Sequence, residues 1–181
     1  MNPCTIAGGC LALLVALLPA TASAQGGRLQ LTSLDALSAK ARETVDVAVD
    51  AAMLKATAGF LAGKDSDGAK LQELLAGVRG IYVKSFEFDA PGAYAESDID
   101  AIRRQVSGSG WARVVGVRGK GELTEIYLWK NRETNGGLVV IAAEPKELTV
   151  VNIVGTVDLA SLGALGPLIP KLSQSVGKTA R

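Results

Sequence analysis

No histidine occurs anywhere in the 181 residues. The commonest general base is therefore missing, and with it Ser-His-Asp and Cys-His arrangements and nearly all transition-metal sites. Cysteine is almost as scarce, with Cys4 and Cys10 confined to the first apolar stretch. Aromatic residues make up 4% of the chain. A charge imbalance is missing too: 19 Lys+Arg against 18 Asp+Glu leave a formal charge of +1, and the basic residues are scattered. Such a chain has no long-range field with which to hold a phosphate backbone, which excludes nucleic acid as a partner.

The sequence also lacks an apolar run long enough to cross a bilayer comfortably. Residues 6–18 are uncharged and apolar, Pro19 interrupts them, and Ala22-Ser-Ala24 has the small-residue pattern that a signal peptidase reads. Residues 1–24 are therefore expected to be a signal peptide, cut between Ala24 and Gln25. The lack of a side-chain positive charge ahead of the run leaves an uncleaved anchor as the alternative. Cys10 precedes most of the apolar run, whereas a lipidated cysteine would follow it, so a lipoprotein is not expected. The expected product is exported, periplasmic or secreted, and not transmembrane after cleavage. Its 181 − 24 = 157 residues contain no cysteine, so a packed core must stabilise it without disulfides.

What is present reads as one α+β domain over residues 25–165 with a flexible tail over 166–181. Leu29, Leu31, Leu34 and Leu37 are spaced for partial burial, with Ser33 and Asp35 as helix-start candidates. Thr44-Val-Asp-Val-Ala-Val-Asp50 alternates at period two and then gives way to a helical pattern over 51–61. Gly63-Lys-Asp-Ser-Asp-Gly68 breaks that helix, and 69–78 resumes it, which predicts an N-terminal helical hairpin. The break is an acidic turn and no calcium loop: with Gly68 at the obligatory glycine, Gly63 stands where the first carboxylate belongs.

Between Gly80 and Gly155, apolar segments are cut at short intervals by turn residues. Strands are expected at 81–88, 111–118, 123–130, 138–143 and 148–155, giving a mostly antiparallel five-stranded sheet. A helix opened by Ser97, Asp98 and Asp100 and carrying Ile99, Ile102 and Val106 inward links the first two strands as a β-α-β crossover. A short last helix is expected at 158–165. Leu138-Val-Val-Ile-Ala-Ala143 and Val150-Val-Asn-Ile-Val154 are apolar on both faces, which suits a sheet covered twice, by the hairpin on one side and the crossover helix on the other. If both pack on one side, the other exposes an apolar patch.

Gly80-Ile-Tyr-Val-Lys-Ser-Phe-Glu-Phe-Asp89, Gly92-Ala-Tyr94, Trp111 with Val115-Gly-Val-Arg118, and Ala142-Ala-Glu-Pro-Lys-Glu-Leu-Thr-Val-Val-Asn-Ile-Val-Gly155 resemble the bacterial family of domain of unknown function 4252. The resemblance spans nearly the whole mature chain. It implies a small exported or lipid-anchored envelope protein and supplies no catalytic residues. This chain departs from many members by lacking a cysteine after its apolar run.

The chemistry on offer is thin. The 21 glycines make no phosphate loop, since neither Gly116-Val-Arg-Gly119 nor Gly119-Lys-Gly121 leads from a strand into a helix. Glu122 and Glu125 should lie on opposite faces of a strand, and Asp98 and Asp100 serve a helix start. Glu144 reads as a turn charge, while Lys84 and Arg118 read as solvated cations able to pair with acids across strands. No catalytic, cofactor-binding or metal-binding residue is assigned, and no cofactor is expected. Tyr82, Phe86 and Phe88 share one strand face, as do Tyr127 and Trp129, so these five are either core or a partner-binding surface. The function expected is a non-catalytic binding module in the envelope, with an envelope protein as partner. A carboxylate-dependent hydrolase acting on an envelope polymer is the alternative.

Overall fold

The computed structural model describes residues 27–61, 76–131 and 134–156. The signal segment, the second arm of the expected hairpin up to residue 75 with its acidic turn, the 158–165 helix and the tail lie outside those residues.

Within them the chain is α+β. A 3-10 helix over Thr32–Ala39 precedes β1 (Glu43–Asp50), α1 (Ala51–Leu61), β2 (Val78–Glu87), α2 (Glu96–Gln105), β3 (Trp111–Arg118), β4 (Leu123–Asn131), β5 (Thr134–Glu144) and β6 (Glu147–Gly155). The sheet has six strands, not five, in the order β1-β2-β6-β5-β4-β3, with every neighbouring pair antiparallel. The additional strand is the alternating Thr44–Asp50 segment, which pairs along β2 from Glu43 opposite Glu87 to Asp50 opposite Gly80. A helical hairpin is not found among the described residues: α1 stands as its first arm, but Val78, expected in the second, opens β2.

Why β5 and β6 are apolar on both sides follows from their place in the middle of the sheet. One face gathers Phe86, Phe88, Tyr127, Val139, Ile141, Leu148 and Val150 under Ile99 and Ile102 of α2, Val106 at its C-terminal cap, and Leu34 and Leu37 of the 3-10 helix. Burying these three aliphatic side chains of α2 and its cap stabilises the helix's docking by about 1.5–3 kcal/mol each. The other face gathers Ile126, Leu128, Leu138, Val140, Val151 and Ile153, all less than a tenth exposed. Both faces are therefore buried. The 3-10 helix shares its face with the crossover helix, because the chain entering at 27–31 is pinned there by Asn152. That fully buried side chain accepts the Leu29 N–H at 2.8 Å and donates to the Gly27 carbonyl at 2.9 Å.

The crossover is present. In the strand order, β2 and β3 run in the same direction with β6, β5 and β4 between them, and α2 lies over the cluster that spans the gap. Asp98, at the third helical position, accepts the Ala95 N–H at 2.8 Å and satisfies one of the otherwise unpaired amides of the first turn. The cap position is thus Ala95, two residues earlier than Ser97. At the far end of the sheet, β6 closes on Gly155 at φ +127°, where a Cβ would stand 2.2 Å from the Gly77 carbonyl oxygen. Only glycine fits that position without displacing backbone.

Candidate functional site

The most densely charged place in the described structure lies where α2 crosses β4 and β3. Strand alternation aims Glu125 at the helix-covered face together with Tyr127, and there Glu125 is buried. Arg103 reaches down from the last turn of α2, where a cation also suits the negative end of the helix. It donates Nε–H to Glu125 Oε2 at 2.9 Å and Nη2–H to Oε1 at 3.2 Å, a two-pronged contact. Arg113 of β3 donates to Oε1 at 3.3 Å and the Tyr127 hydroxyl to Oε2 at 3.1 Å. Arg103 is itself shared, with Nη1 at 2.5 Å from Glu96 and 2.9 Å from Asp100.

Burial alone would push the Glu125 carboxyl up; the bonds from Arg103 and Tyr127 and the nearby Arg103 and Arg113 charges outweigh it and hold it below the usual range. Tyr127 moves the other way, raised by burial and by the carboxylate beside it. The Arg103 guanidinium is driven still higher, chiefly by its bond to Glu125. An ionised carboxylate with both oxygens already taken by donors is a poor proton carrier. This cluster fastens the helix to the sheet.

Beside it opens a cleft of about 220 Å³ lined by Tyr94, Glu96, Ile99, Arg118, Glu122 and Leu123, with turn glycines at its rim. Arg118 Nη2 stands 3.8 Å from Glu96 Oε1 and is mostly exposed. The Tyr94 hydroxyl donates to the Glu144 carbonyl at 2.5 Å, and burial raises its pKa above the ordinary value. The volume is smaller than most small-molecule sites. No group of three His, Cys, Asp or Glu side chains among the described residues is placed to hold a metal ion.

The five aromatics singled out from the sequence do share one face, but it is the one under α2 and the 3-10 helix. Phe86, Phe88 and Tyr127 are buried there, and Phe88 stacks at 6.4 Å on Phe86 and lies 5.7 Å from Tyr94. Tyr82 is half-buried under the Arg28 guanidinium, 4.4 Å from its ring centre, and Trp129 is half-buried near Gly110. Core packing therefore occupies Phe86, Phe88 and Tyr127, and a partner has no access to them. Lys84 does pair across strands, with Nζ 2.6 Å from Asp46 and 2.6 Å from Asp35.

The sequence segments that carried the family resemblance meet in space. Gly80 to Glu87 on β2 pairs with β6 from Val154 to Glu147, and Tyr94 bonds to the end of β5. The family model described as a domain of unknown function, DUF4252, matches residues 39–165. The chain belongs to this family. No curated protein matches it, and no solved structure does. The DUF4252 match takes in all six strands, α1 and α2, together with Glu125, Arg103 and the cleft; residues 27–38, with most of the 3-10 helix, precede it.

What sequence reasoning missed is the Glu125 cluster. The signal was the i, i+2 spacing of Glu125 and Tyr127, which puts a carboxylate on the core face. Its partner could be found only by placing α2 across that strand.

Proposed function

We propose that this DUF4252 protein is an exported, cofactor-free module of the bacterial envelope that binds a protein partner without catalysis, and that it takes the partner at a free edge of its sheet. The observation carrying this reading is the state of the two outer strands. Among the described residues β1 pairs only with β2 and β3 only with β4, leaving a row of backbone donors and acceptors along each outer side. An extended segment can add to such an edge by main-chain hydrogen bonds, with side-chain pairs supplying selectivity. The clamped state of Glu125 supports a non-catalytic role, since the one buried carboxylate among the described residues has no free oxygen to offer a substrate.

Photo-reactive residues placed at Val45 on β1 and Val117 on β3 should cross-link in intact cells to envelope proteins, while one at exposed Arg104 on α2 should not. Equal labelling at all three positions, or none at either edge, would refute the edge as the contact.

A second reading has one observation in its favour: Glu96 and Glu122 line the same cleft. A glycosidase-like reaction needs two carboxylates about 5–10 Å apart. If the purified chain degrades an envelope polymer and Glu122→Gln abolishes that activity, the hydrolase reading replaces the binding one.

A further inference from the structure

Resting on the edge-binding reading, we infer that the partner includes a second copy of this chain, docked head to tail with β1 of one copy beside β3 of the next. The two edges carry opposite charges: β1 holds Glu43, Asp46 and Asp50 and no basic residue, whereas β3 holds Arg113 and Arg118 and no acidic one. Pairing β1 with β1, or β3 with β3, would bring like charges together across the joint, which destabilises a strand pair. Pairing β1 with β3 brings opposite charges together.

The pairing register places those charges on the same side. Asp46 and Asp50 stand opposite Lys84 and Gly80 on β2, on the face that carries Phe86 and α2. Arg113 and Arg118 stand opposite Tyr127 and Leu123 on β4, again on the α2 face. Val47 and Val49 occupy the other face of β1 and Val115 and Val117 the other face of β3. A sheet continued from one copy into the next would thus match acid with arginine on one face and valine with valine on the other.

Spacing agrees as well. Asp46 and Asp50 are four positions apart. Arg113 and Arg118 are five residues apart in sequence, but a bulge at Val114 absorbs one, so they face Tyr127 and Leu123, four positions apart on β4. Because the six strands alternate in direction, β3 runs opposite to β1, and a copy shifted sideways in the same orientation presents β3 antiparallel to β1. The register that sets Asp46 against Arg118 then sets Asp50 against Arg113, Val47 against Val117, and Val49 against Val115. Between the charges, Ala48 meets Gly116, a small pair.

Exposure concentrates at the same places. The large apolar side chains standing exposed among the described residues are Val45, Met53, Val114 and Val117, and all but Met53 lie on these two strands. A head-to-tail joint leaves a free β1 at one end and a free β3 at the other, so association extends beyond a dimer unless a rotation closes it into a ring.

Sedimentation velocity over about a hundredfold range of protein concentration tests this, since mass action drives self-association. The average mass should rise past that of a dimer. Arg118→Asp, at an exposed position, should leave a monomer at every concentration, whereas Arg118→Lys, which keeps the charge, should still associate. A monomer throughout for the unaltered chain overturns the self-pairing and leaves strand capture from another protein standing. Association that survives Arg118→Asp, or that Arg118→Lys abolishes as fully, overturns this joint.

Discussion

Replacing Glu125 with glutamine is the sharpest probe of how the crossover helix is held. The amide keeps nearly the same volume and one acceptor oxygen, so packing against Tyr127 is preserved. What changes is charge, and one of the two carboxylate oxygens becomes an NH₂ facing the Arg103 and Arg113 donors. Breaking a buried ion pair from one side costs about 3–5 kcal/mol where the remaining charge is fully stranded. Arg103 is a fifth exposed and keeps Glu96 and Asp100, so a loss of about 2–3 kcal/mol is expected, near the upper range for one bond to a charged group. For a domain of this size that lowers Tm by roughly 4–10 °C.

Urea unfolding followed by the fluorescence of Trp111 and Trp129 measures the difference. The pH dependence supplies an independent check. Because the folded-state carboxyl titrates below its ordinary value of 4.5, the unfolded chain takes up its proton first. The stabilisation is therefore complete above that value and lost as pH falls through the folded-state pKa. The gap between Glu125→Gln and the unaltered protein should narrow in that acid window. A change below about 0.5 kcal/mol at neutral pH, or a gap that does not narrow on acidification, would refute the clamp.

Three further outcomes follow from the same structure. Asn152→Leu strips the buried Leu29 N–H and Gly27 carbonyl of their partner and should cost about 2–3 kcal/mol, with amide exchange accelerating first at Leu29 and not in β5. Gly155→Ala should destabilise by about 2–4 kcal/mol in denaturant titrations, because its Cβ would collide with the Gly77 carbonyl in a left-handed backbone; a neutral effect would contradict the β6 geometry. Burial opposes the charge on Lys84, but Asp35 and Asp46 more than compensate and raise its pKa above 10.5, so its contribution holds below that value and is lost as pH rises through the raised one. Since both acids are more than half exposed, Lys84→Met should cost only about 1 kcal/mol, read as faster exchange in the 3-10 helix.

Local pattern carried much of the fold. Period-two alternation marked Thr44–Asp50 as a strand, Trp111–Arg118 was legible to the residue, and the spacing of Ile99, Ile102 and Val106 identified the buried stripe of α2. These features depend on neighbours within a few residues, where backbone geometry alone decides which side chains share a face. The place of the β1 strand in the sheet was a different matter, because joining β2 depends on hydrogen bonds between segments some forty residues apart.

By itself, then, the sequence determined that this chain has no imidazole for catalysis, that it alternates into strands from Thr44 onward, and that a single crossover helix must cover a sheet face. Only the tertiary structure decided that the sheet has six strands, that Tyr127 and the two phenylalanines are core, and that Glu125 is locked by two arginines. It alone also brought Asp46 and Asp50 to one outer strand of the described sheet and Arg113 and Arg118 to the other. The physical reason is range: side-chain alternation is set residue by residue, whereas strand order and ion pairing are set by which distant segments can bury their apolar faces together.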